Sequence, residues 1–460
     1  MREKILHFLM SRGKKSYKIR TEQYIVLSFF AVILLGTLLL MLPISSRSGE
    51  SCGFLTAWFT ATSATCVTGL VLVDTYTQWT GFGQIVLLCL IQIGGLGFMT
   101  VISVFFFLLH RKIGLQQRLI MAQGFSLNNV DGVVHLVRTV LIWTIFFEGA
   151  GALILTIRFL GEYGLWQALR FGIFHAVSAF CNAGFDIFGI LQPDSSVSLF
   201  VHDPVVNLVI MTLIVAGGLG FYVWADLSRF HQRGRQLAVH TRLVLLISGT
   251  LIVGGAVLFA LLEWNNPETI GTYTVWEKIL ACLFQSVTCR TAGFASISQG
   301  GLTEPSQAVS SLLMLIGGSA GSTAGGIKTV TVGILILATL SAARGRSRVT
   351  VFHRTISQEQ IRQAMTVMLL MVALAFGGAV YLSACSGFTF TQCFYETASA
   401  LGTVGLTTGI TPLLDVGPKI LLIIFMFFGR VGITTISLGF LMSSQVQERY
   451  HYAETKVLIG

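Results

Sequence analysis

Four short glycine-containing segments recur along the chain at a nearly constant spacing. They end at Gly69, Gly184, Gly293 and Gly405, which are 115, 109 and 112 residues apart. An aromatic and a polar residue precede each glycine, and a second glycine cluster follows it. A fixed internal period indicates one structural unit copied along the chain. We therefore predict four copies, although the third segment is one residue shorter before its glycine and its register stays open.

Composition and segment length indicate that each unit crosses a lipid bilayer. Of the 460 residues, 53% are hydrophobic and 11% are charged, whereas a soluble domain carries about 25% charged residues. A helix needs about 20 apolar residues to cross the hydrocarbon core. Eight segments suit this purpose: 24–42, 84–109, 133–154, 206–224, 243–262, 308–340, 364–383 and 420–442.

Charge distribution predicts the orientation of these spans. The net charge is +10, and basic residues cluster before the first span and in linkers around Arg111, Arg233 and Arg346. Basic linkers stay cytoplasmic, so we predict that both termini are cytoplasmic and that nucleic acid is not a partner. The basic lead runs into a stretch of full spanning length without a cleavage site, so we expect no removable signal peptide. The eight cysteines show no spacing typical of a metal or redox site.

The predicted fold class is an all-α polytopic membrane protein. Its four helix–pore-loop–helix repeats surround one central pore with pseudo-fourfold symmetry. The predicted parts are a basic cytoplasmic segment at 1–20, pore repeats at 21–110, 111–228, 229–345 and 346–444, and a cytoplasmic tail at 445–460.

Each glycine segment follows a helix too short to cross the bilayer. Non-helical backbone is tolerated at membrane depth only where it is buried or lines a water-filled cavity. Four such strips around one axis would bring carbonyl rings together that replace an ion's hydration shell, and glycine adopts the required backbone angles. The alternative is small residues for close helix packing, which needs neither the shared lead-in nor the common offset. The predicted filter residues are Val67, Thr68, Gly69, Asn182, Ala183, Gly184, Thr291, Ala292, Gly293, Thr403, Val404 and Gly405.

These motifs resemble those of the Trk/Ktr/HKT superfamily from Thr21 to the last residue. The most specific stretches are 317–328, Ser286-Val-Thr-Cys-Arg-Thr-Ala-Gly-Phe294 and Gly429-Arg-Val-Gly432. TrkH-type chains carry extra N-terminal helices, so the KtrB-type membrane subunits are more similar. Sodium-preferring members have serine where this chain has Gly69. The resemblance implies a potassium-selective pore that carries K⁺, with Na⁺ as a candidate activator and no organic cofactor on this chain.

The same resemblance implies partners. KtrB-type subunits form homodimers in the bilayer on a ring of cytosolic KtrA-type regulatory subunits, whose RCK domains bind ATP and ADP. The short linkers leave no extramembrane domain large enough to sense a ligand, so we expect regulation from such a ring. The basic linkers suit an acidic docking surface, and we expect the tail 445–460 to help hold the dimer.

Residues 317–328 nearly match a phosphate-binding loop. Ile327 intervenes before Lys328, and the preceding run is an apolar span, so the pattern disfavours a nucleotide-binding enzyme. We predict instead a break in the third inner helix, and the resemblance implies an intramembrane gate. The residues assigned to that gate are Gly317, Gly318, Ser319, Gly321, Ser322, Thr323, Gly325, Gly326 and Lys328.

Several charged or titratable residues lie in or near the predicted spans. Arg430 replaces a glycine of the other repeats, and a charge in a span is costly. We predict that Arg430 faces the pore, with pairing to Glu396 as the alternative. Glu148 could pair with a basic group or bind a proton. We expect Asp226 to be a solvated helix end and His175 to hydrogen-bond within its pore helix.

The predicted function is potassium uptake through a channel-like pore across the cell membrane of a bacterium. A sodium-coupled or proton-coupled potassium symporter is the alternative, because both could use the same filter. An ATP-driven pump is disfavoured, since no phosphorylation or nucleotide-binding domain is recognisable. We expect no enzymatic activity.

Overall fold

The computed structural model describes residues 21–97, 132–230, 236–346 and 348–432, and these residues are mostly helical. The predicted N-terminal segment, the linkers around Arg111 and Arg233 and the C-terminal tail lie outside the described residues. The predicted spans ending at residues 109 and 442 lie partly outside them.

The described residues form fourteen α-helices and one short hairpin. The helices are α1 (Thr21–Leu40), α2 (Phe54–Thr65), α3 (Thr75–Gln78), α4 (Gly81–Leu96), α5 (Val133–Phe180), α6 (Pro204–Leu219), α7 (Phe221–Ser228), α8 (Val239–Glu263), α9 (Val275–Thr288), α10 (Glu304–Leu315), α11 (Thr329–Ala343), α12 (Gln358–Ser386), α13 (Phe390–Gly402) and α14 (Val416–Val431). The antiparallel strands are β1 (Thr350–Val351) and β2 (Arg354–Thr355).

Each repeat contains an outer helix, a shorter pore helix and an inner helix. The outer helices are α1, the first part of α5, α8 and α12, and the pore helices are α2, the second part of α5, α9 and α13. The inner helices begin with α4, α6, α10 and α14. Gly164 separates the two parts of α5 because its φ of 73° and ψ of 166° are not helical. This arrangement confirms the predicted fold class.

Packing between neighbouring repeats closes the four units into a ring. The inner helix α4 packs against α5, α6 against the pore helix α9, and α10 against the pore helix α13. The inner helix α14 of the fourth repeat then packs against the pore helix α2 of the first. Each repeat therefore contacts the next, and the last contacts the first, around one central axis.

Outer and inner helices differ in continuity. Among the described residues, the four single helices long and apolar enough to cross a membrane lie in α1, α5, α8 and α12, which contain the outer helices. The predicted span at 206–224 is bent rather than straight, because α6 and α7 meet at an angle of 91°. The bend lies at Gly220, whose φ of 94° suits glycine. In the third repeat, residues 316–328 separate α10 from α11, so the predicted break is present.

Candidate functional site

The four glycine strips share one unusual backbone conformation. Four residues two positions before the glycines have left-handed φ values of 56°, 59°, 64° and 52°: Val67, Asn182, Thr291 and Thr403. Gly69, Gly184, Gly293 and Gly405 also have positive φ, at 96°, 68°, 80° and 97°. The residue between each pair does not have a positive φ. Alternating handedness lets successive carbonyl groups point to one side of the strip, whereas in a regular strand they alternate between its two sides.

The glycines of the four strips meet one another around the axis. A Cβ atom built on Gly69 would lie 2.5 Å from the carbonyl oxygen of Ala183, and one on Gly184 would lie 2.7 Å from that of Ala292. Cβ atoms on Gly293 and Gly405 would lie still closer to the carbonyl oxygens of Val404 and Thr68, respectively. The order from first to second, third, fourth and back to first strip describes a closed ring. A side chain at any of these glycines would displace a neighbouring carbonyl.

A hydroxyl group near the end of each pore helix anchors the adjoining strip. The backbone N–H groups of Gly69 and Gly405 donate to the hydroxyls of Ser63 and Ser399, each at 3.0 Å. The hydroxyls of Ser178 and Thr288 donate to the carbonyls that follow the glycines in their own strips, each at 2.6 Å. These buried bonds hold backbone angles that L-residues otherwise resist.

The register of the third strip follows from its hydrogen bonds. In the first strip the N–H of Thr68 donates to the carbonyl of Ser63 at 2.8 Å, five residues earlier. In the third strip the N–H of Ala292 donates to the carbonyl of Thr288 at 3.0 Å, four residues earlier. The missing residue therefore shortens the turn after the helix, while Gly293 keeps its place in the ring.

The pore helices end at the strips. The helical part of each pore helix stops three to five residues before its glycine, at Thr65, Phe180, Thr288 and Gly402. A helix C-terminus carries a partial negative charge equivalent to about half an elementary charge. Four such ends around the ring favour a cation.

The polar residue of the aromatic–polar lead-in supports the loop after the strip in three repeats. His175 Nδ1 lies 2.8 Å from the carbonyl of Phe171, which confirms its predicted bond within the pore helix, and its Nε2 accepts from the N–H of Ile187 at 3.3 Å. Gln285 Nε2 donates to Gln299 Oε1 at 2.7 Å. Buried Glu396 accepts from the N–H of Thr408 at 2.9 Å. These contacts add rigidity to the strips.

The segment 316–328 is tied together at its ends. The N–H of Gly317 donates to the carbonyl of Ile327 at 2.8 Å, and the N–H of Ile327 donates to that of Leu315 at 3.1 Å. Lys328 Nζ donates to the carbonyl of Ala324 at 2.8 Å within the segment. The residues assigned to the gate thus form one folded loop, which we call the third-repeat loop.

The third-repeat loop contacts both the bend of the second repeat and the strips. Its Ser319 N–H donates to the carbonyl of Gly218 at 2.9 Å, and its Gly321 carbonyl accepts from the N–H of Phe221 at 2.9 Å. A Cβ atom on Gly317 would lie 3.3 Å from Thr291 Cγ2, and one on Gly325 would overlap the hydroxyl of Thr403. The loop therefore lies directly against the third and fourth strips.

Arg430 connects three repeats near the axis. From α14 of the fourth repeat its guanidinium donates to the carbonyl of Thr323 in the third-repeat loop. It also donates to the carbonyls of Gly94 and Gly95 in α4 of the first repeat, the latter at 2.9 Å. The alternative pairing with Glu396 is wrong, because that carboxylate is held by hydroxyls and backbone after the fourth strip.

Asp226 is another residue whose predicted setting is wrong. It is buried rather than solvated, and its Oδ2 accepts from the N–H of Ala238 at 2.9 Å and from the hydroxyl of Thr241 at 2.8 Å. The carboxylate therefore ties α7 to the start of α8. The sequence shows that Asp226 lies near a span, but it does not show that Ala238 and Thr241, later in the chain, donate hydrogen bonds to it.

Arg290 is a buried charge that the sequence analysis did not single out. It directly precedes Thr291 of the third strip, and only 7% of the residue is exposed. Its Nη2 donates to the hydroxyl of Ser248 at 3.2 Å, while Nε has no partner among the described residues. The sequence could have indicated Arg290 as a candidate functional residue, because it is a charged residue beside a strip predicted to lie at membrane depth.

Comparisons with known proteins agree along the whole chain. The TrkH family, described as cation transport proteins, matches residues 3–450. The chain is 40% identical to the Ktr system potassium uptake protein B of Bacillus subtilis, with 93% of this chain and 94% of that protein covered. It is 38% identical to the potassium/sodium uptake protein NtpJ of Enterococcus hirae, with 95% and 97% covered.

The fold has also been seen in a solved structure. The crystal structure of the potassium transporter TrkH from Vibrio parahaemolyticus superposes with a TM-score of 0.70 at 16% identity. The match covers 94% of this chain and 89% of that one. These similarities are to transporters and not to enzymes. The chain therefore belongs to the TrkH family of cation transport proteins.

Proposed function

We propose that this chain takes up potassium through a channel-like pore whose selectivity filter is the ring of four glycine strips. The observation that carries the proposal is the closed ring itself. Four segments from four repeats share the same alternating backbone, and each glycine lies against the next strip's carbonyl. Carbonyl oxygens arranged in rings replace the hydration shell of K⁺ in potassium channels. K⁺ is the proposed cargo and binds mainly to backbone oxygens.

Relatives named for potassium uptake support the choice of ion. The B. subtilis protein is named for potassium alone, whereas the E. hirae protein is named for potassium and sodium. Sodium therefore remains a candidate activator, and a sodium-coupled or proton-coupled symporter is the second candidate function. Both functions could use the same carbonyl ring, and they differ in whether potassium movement is coupled to sodium or protons.

The third-repeat loop is the proposed gate. It lies against the third and fourth strips, and backbone hydrogen bonds tie it to Gly218 and Phe221. Its backbone bonds can break and re-form at little cost where water reaches them. Arg430, which donates to the loop carbonyl of Thr323, places a positive charge where it both holds the loop and repels cations.

Location and partners complete the proposal. The proposed location is the cell membrane of a bacterium, and the basic linkers support cytoplasmic positions for both termini. Relatives named as parts of a Ktr system support a regulatory partner, proposed to be a KtrA-type ring that binds ATP and ADP through RCK domains. We also propose a homodimer, held partly by the tail 445–460. The predicted repeat boundaries stay part of this proposal.

Rubidium uptake into liposomes that hold the purified chain tests the function. We expect uptake that potassium inhibits strongly and sodium inhibits weakly. A chain lacking residues 319–325 should take up rubidium faster with unchanged ion preference, because the loop no longer obstructs the pore. Equal inhibition by both ions would contradict the filter. Unchanged or slower uptake in a well-folded deletion variant would contradict the gate.

A further inference from the structure

Glu148 is a carboxylate within a membrane-spanning helix that the proposed pore leaves without a role. It lies in the outer part of α5, and Gln92 Nε2 of α4 donates to both of its oxygens, at 3.1 and 3.2 Å. Cys181 Sγ lies 3.8 Å from Glu148 Oε1 and 3.5 Å from Gln92 Oε1. The ion pairs found among the described residues do not include Glu148.

Among the described residues, the helices around Glu148 bring no counter-ion to it. Gln92 from α4 is uncharged, and the pore-helix part of α5 contributes the thiol of Cys181. On α7, Asp226 accepts from Thr241, on the neighbouring α8. Arg158, further along α5, pairs with Glu162 and Asp203.

Arg430, a described cation that contacts α4 beside this group of residues, is already engaged. Arg430 approaches from α14, but its guanidinium donates to the carbonyls of Thr323, Gly94 and Gly95. An unpaired carboxylate at membrane depth is costly, and an acid without a counter-ion in such a setting takes up a proton instead.

The three side chains form a complete hydrogen-bonded cycle only when Glu148 holds a proton. The Cys181 thiol donates to Gln92 Oε1, and Gln92 Nε2 donates to Glu148. A proton on Glu148 Oε1 then faces the sulfur of Cys181, which is a weak acceptor. Without that proton the single thiol hydrogen of Cys181 can be donated to Glu148 Oε1 or to Gln92 Oε1 but not to both, so one of the three contacts is no longer a hydrogen bond.

The cycle ends one residue from the second strip. Cys181 caps the pore helix through its N–H bond to the carbonyl of Val177 at 2.9 Å, and the next residue is Asn182. Gly95 packs closely against the other side of Cys181, since a Cβ atom on Gly95 would lie 2.6 Å from Cys181 Sγ. A change of charge at Glu148 therefore affects the second strip through Cys181.

We propose that Glu148 is a proton-binding positioning residue that makes ion binding in the second strip depend on pH. With a proton bound, the cycle holds Cys181 and the start of the strip in place. Loss of the proton at alkaline pH adds a negative charge behind the strip and strengthens its attraction for a cation. The pH dependence of transport rests on the proposed filter, whereas the protonation of Glu148 does not.

Two readouts on Glu148→Gln test the proposal, with Glu162→Gln as the matched control on the same helix. Infrared spectroscopy of the full chain in lipid should show protonated-carboxyl absorption in the wild type and in the control, and the component that Glu148 contributes should be missing from the spectrum of E148Q. In wild-type liposomes the half-saturating rubidium concentration should fall several-fold from neutral to alkaline pH. In E148Q that ratio should be near one, and Glu148→Asp should restore it.

The two readouts test separate parts of the proposal, which are the protonation of Glu148 and its link to the second strip. An infrared band unchanged in E148Q would overturn the protonation of Glu148, even if no variant transported rubidium. A pH profile of E148Q that matches those of the wild type and E162Q would overturn the link to the strip. Since the infrared measurement needs no transport, failure of the proposed pore and failure of this inference are distinguishable.

Discussion

Serine in place of Gly69 should reduce the preference for potassium over sodium by about five- to thirtyfold. Gly69 has a φ of 96°, and a Cβ atom on it would lie 2.5 Å from the carbonyl oxygen of Ala183. Ordinary non-bonded contacts between heavy atoms lie near 3.5 Å, so the carbonyl must move by about 1 Å. Weakening one carbonyl contact to the ion by about 1–2 kcal/mol, of the order of one hydrogen bond, lowers ion discrimination by a factor of about 5–30.

Gly409 provides a control that separates backbone strain from the displaced carbonyl. Its φ of 94° is nearly that of Gly69, but a Cβ atom there would meet nothing within 4 Å. Gly409→Ser therefore carries the same strain in a loop four residues after the fourth glycine. We expect it to keep the wild-type ion preference.

The assay is rubidium uptake into liposomes at increasing concentrations of competing sodium. The ratio of sodium to potassium inhibition constants gives the preference directly, and it does not depend on the amount of active protein. A wild-type ratio in G69S would refute the assignment of this strip to the filter. An equal loss in G69S and G409S would show that strain, and not the displaced carbonyl, is responsible.

Three further predictions concern other parts of the molecule. Arg430→Gln should increase rubidium uptake, because the third-repeat loop loses the guanidinium bond to Thr323; uptake at or below the wild-type rate would contradict this. Outside the predicted spans, burial and then the charge of Asp74 raise the pKa of Asp186 to about 7. Because the folded-state pKa is raised, the stabilisation that is present at acidic pH is lost as pH rises through about 7. The midpoint temperature of thermal unfolding should therefore drop more from pH 6 to pH 8 in the wild type than in Asp186→Asn. Equal drops would argue against it. Removing residues 448–460 should convert dimers to monomers in light scattering of detergent-purified protein, and a full-length chain that is already monomeric would contradict the proposed dimer.

The repeat and its main conformational demands are readable from the sequence. The common offset of the four glycines predicted a ring, and hydroxyl residues before each glycine turned out to anchor the strips. The glycine clusters carried further information that spacing alone did not reveal. The last glycine of three clusters ends an inner helix with nearly the same backbone angles: Gly97, Gly220 and Gly432 have φ values of 82°, 94° and 90°.

Partners far apart in the chain were not predictable. Apolar length predicted a span at 206–224 but not its bend at Gly220, which lets the third-repeat loop bond to Phe221. Arg430 bonds to carbonyls of the first and third repeats, more than 100 residues away. Asp226 was misjudged for the same reason, because its partner Thr241 lies beyond the next linker. Hydropathy indicates which segments lie in a membrane, but it does not indicate which polar groups form hydrogen bonds with one another.

The reversal potential of the purified chain under opposed potassium and sodium gradients tests the central claim most directly. A carbonyl ring that passes potassium without fixed coupling predicts a reversal potential close to the potassium equilibrium potential. That value should not depend on the sodium gradient. A reversal potential that follows both gradients in a fixed ratio would contradict the channel and establish a coupled symporter. One that follows neither ion selectively would contradict the filter itself.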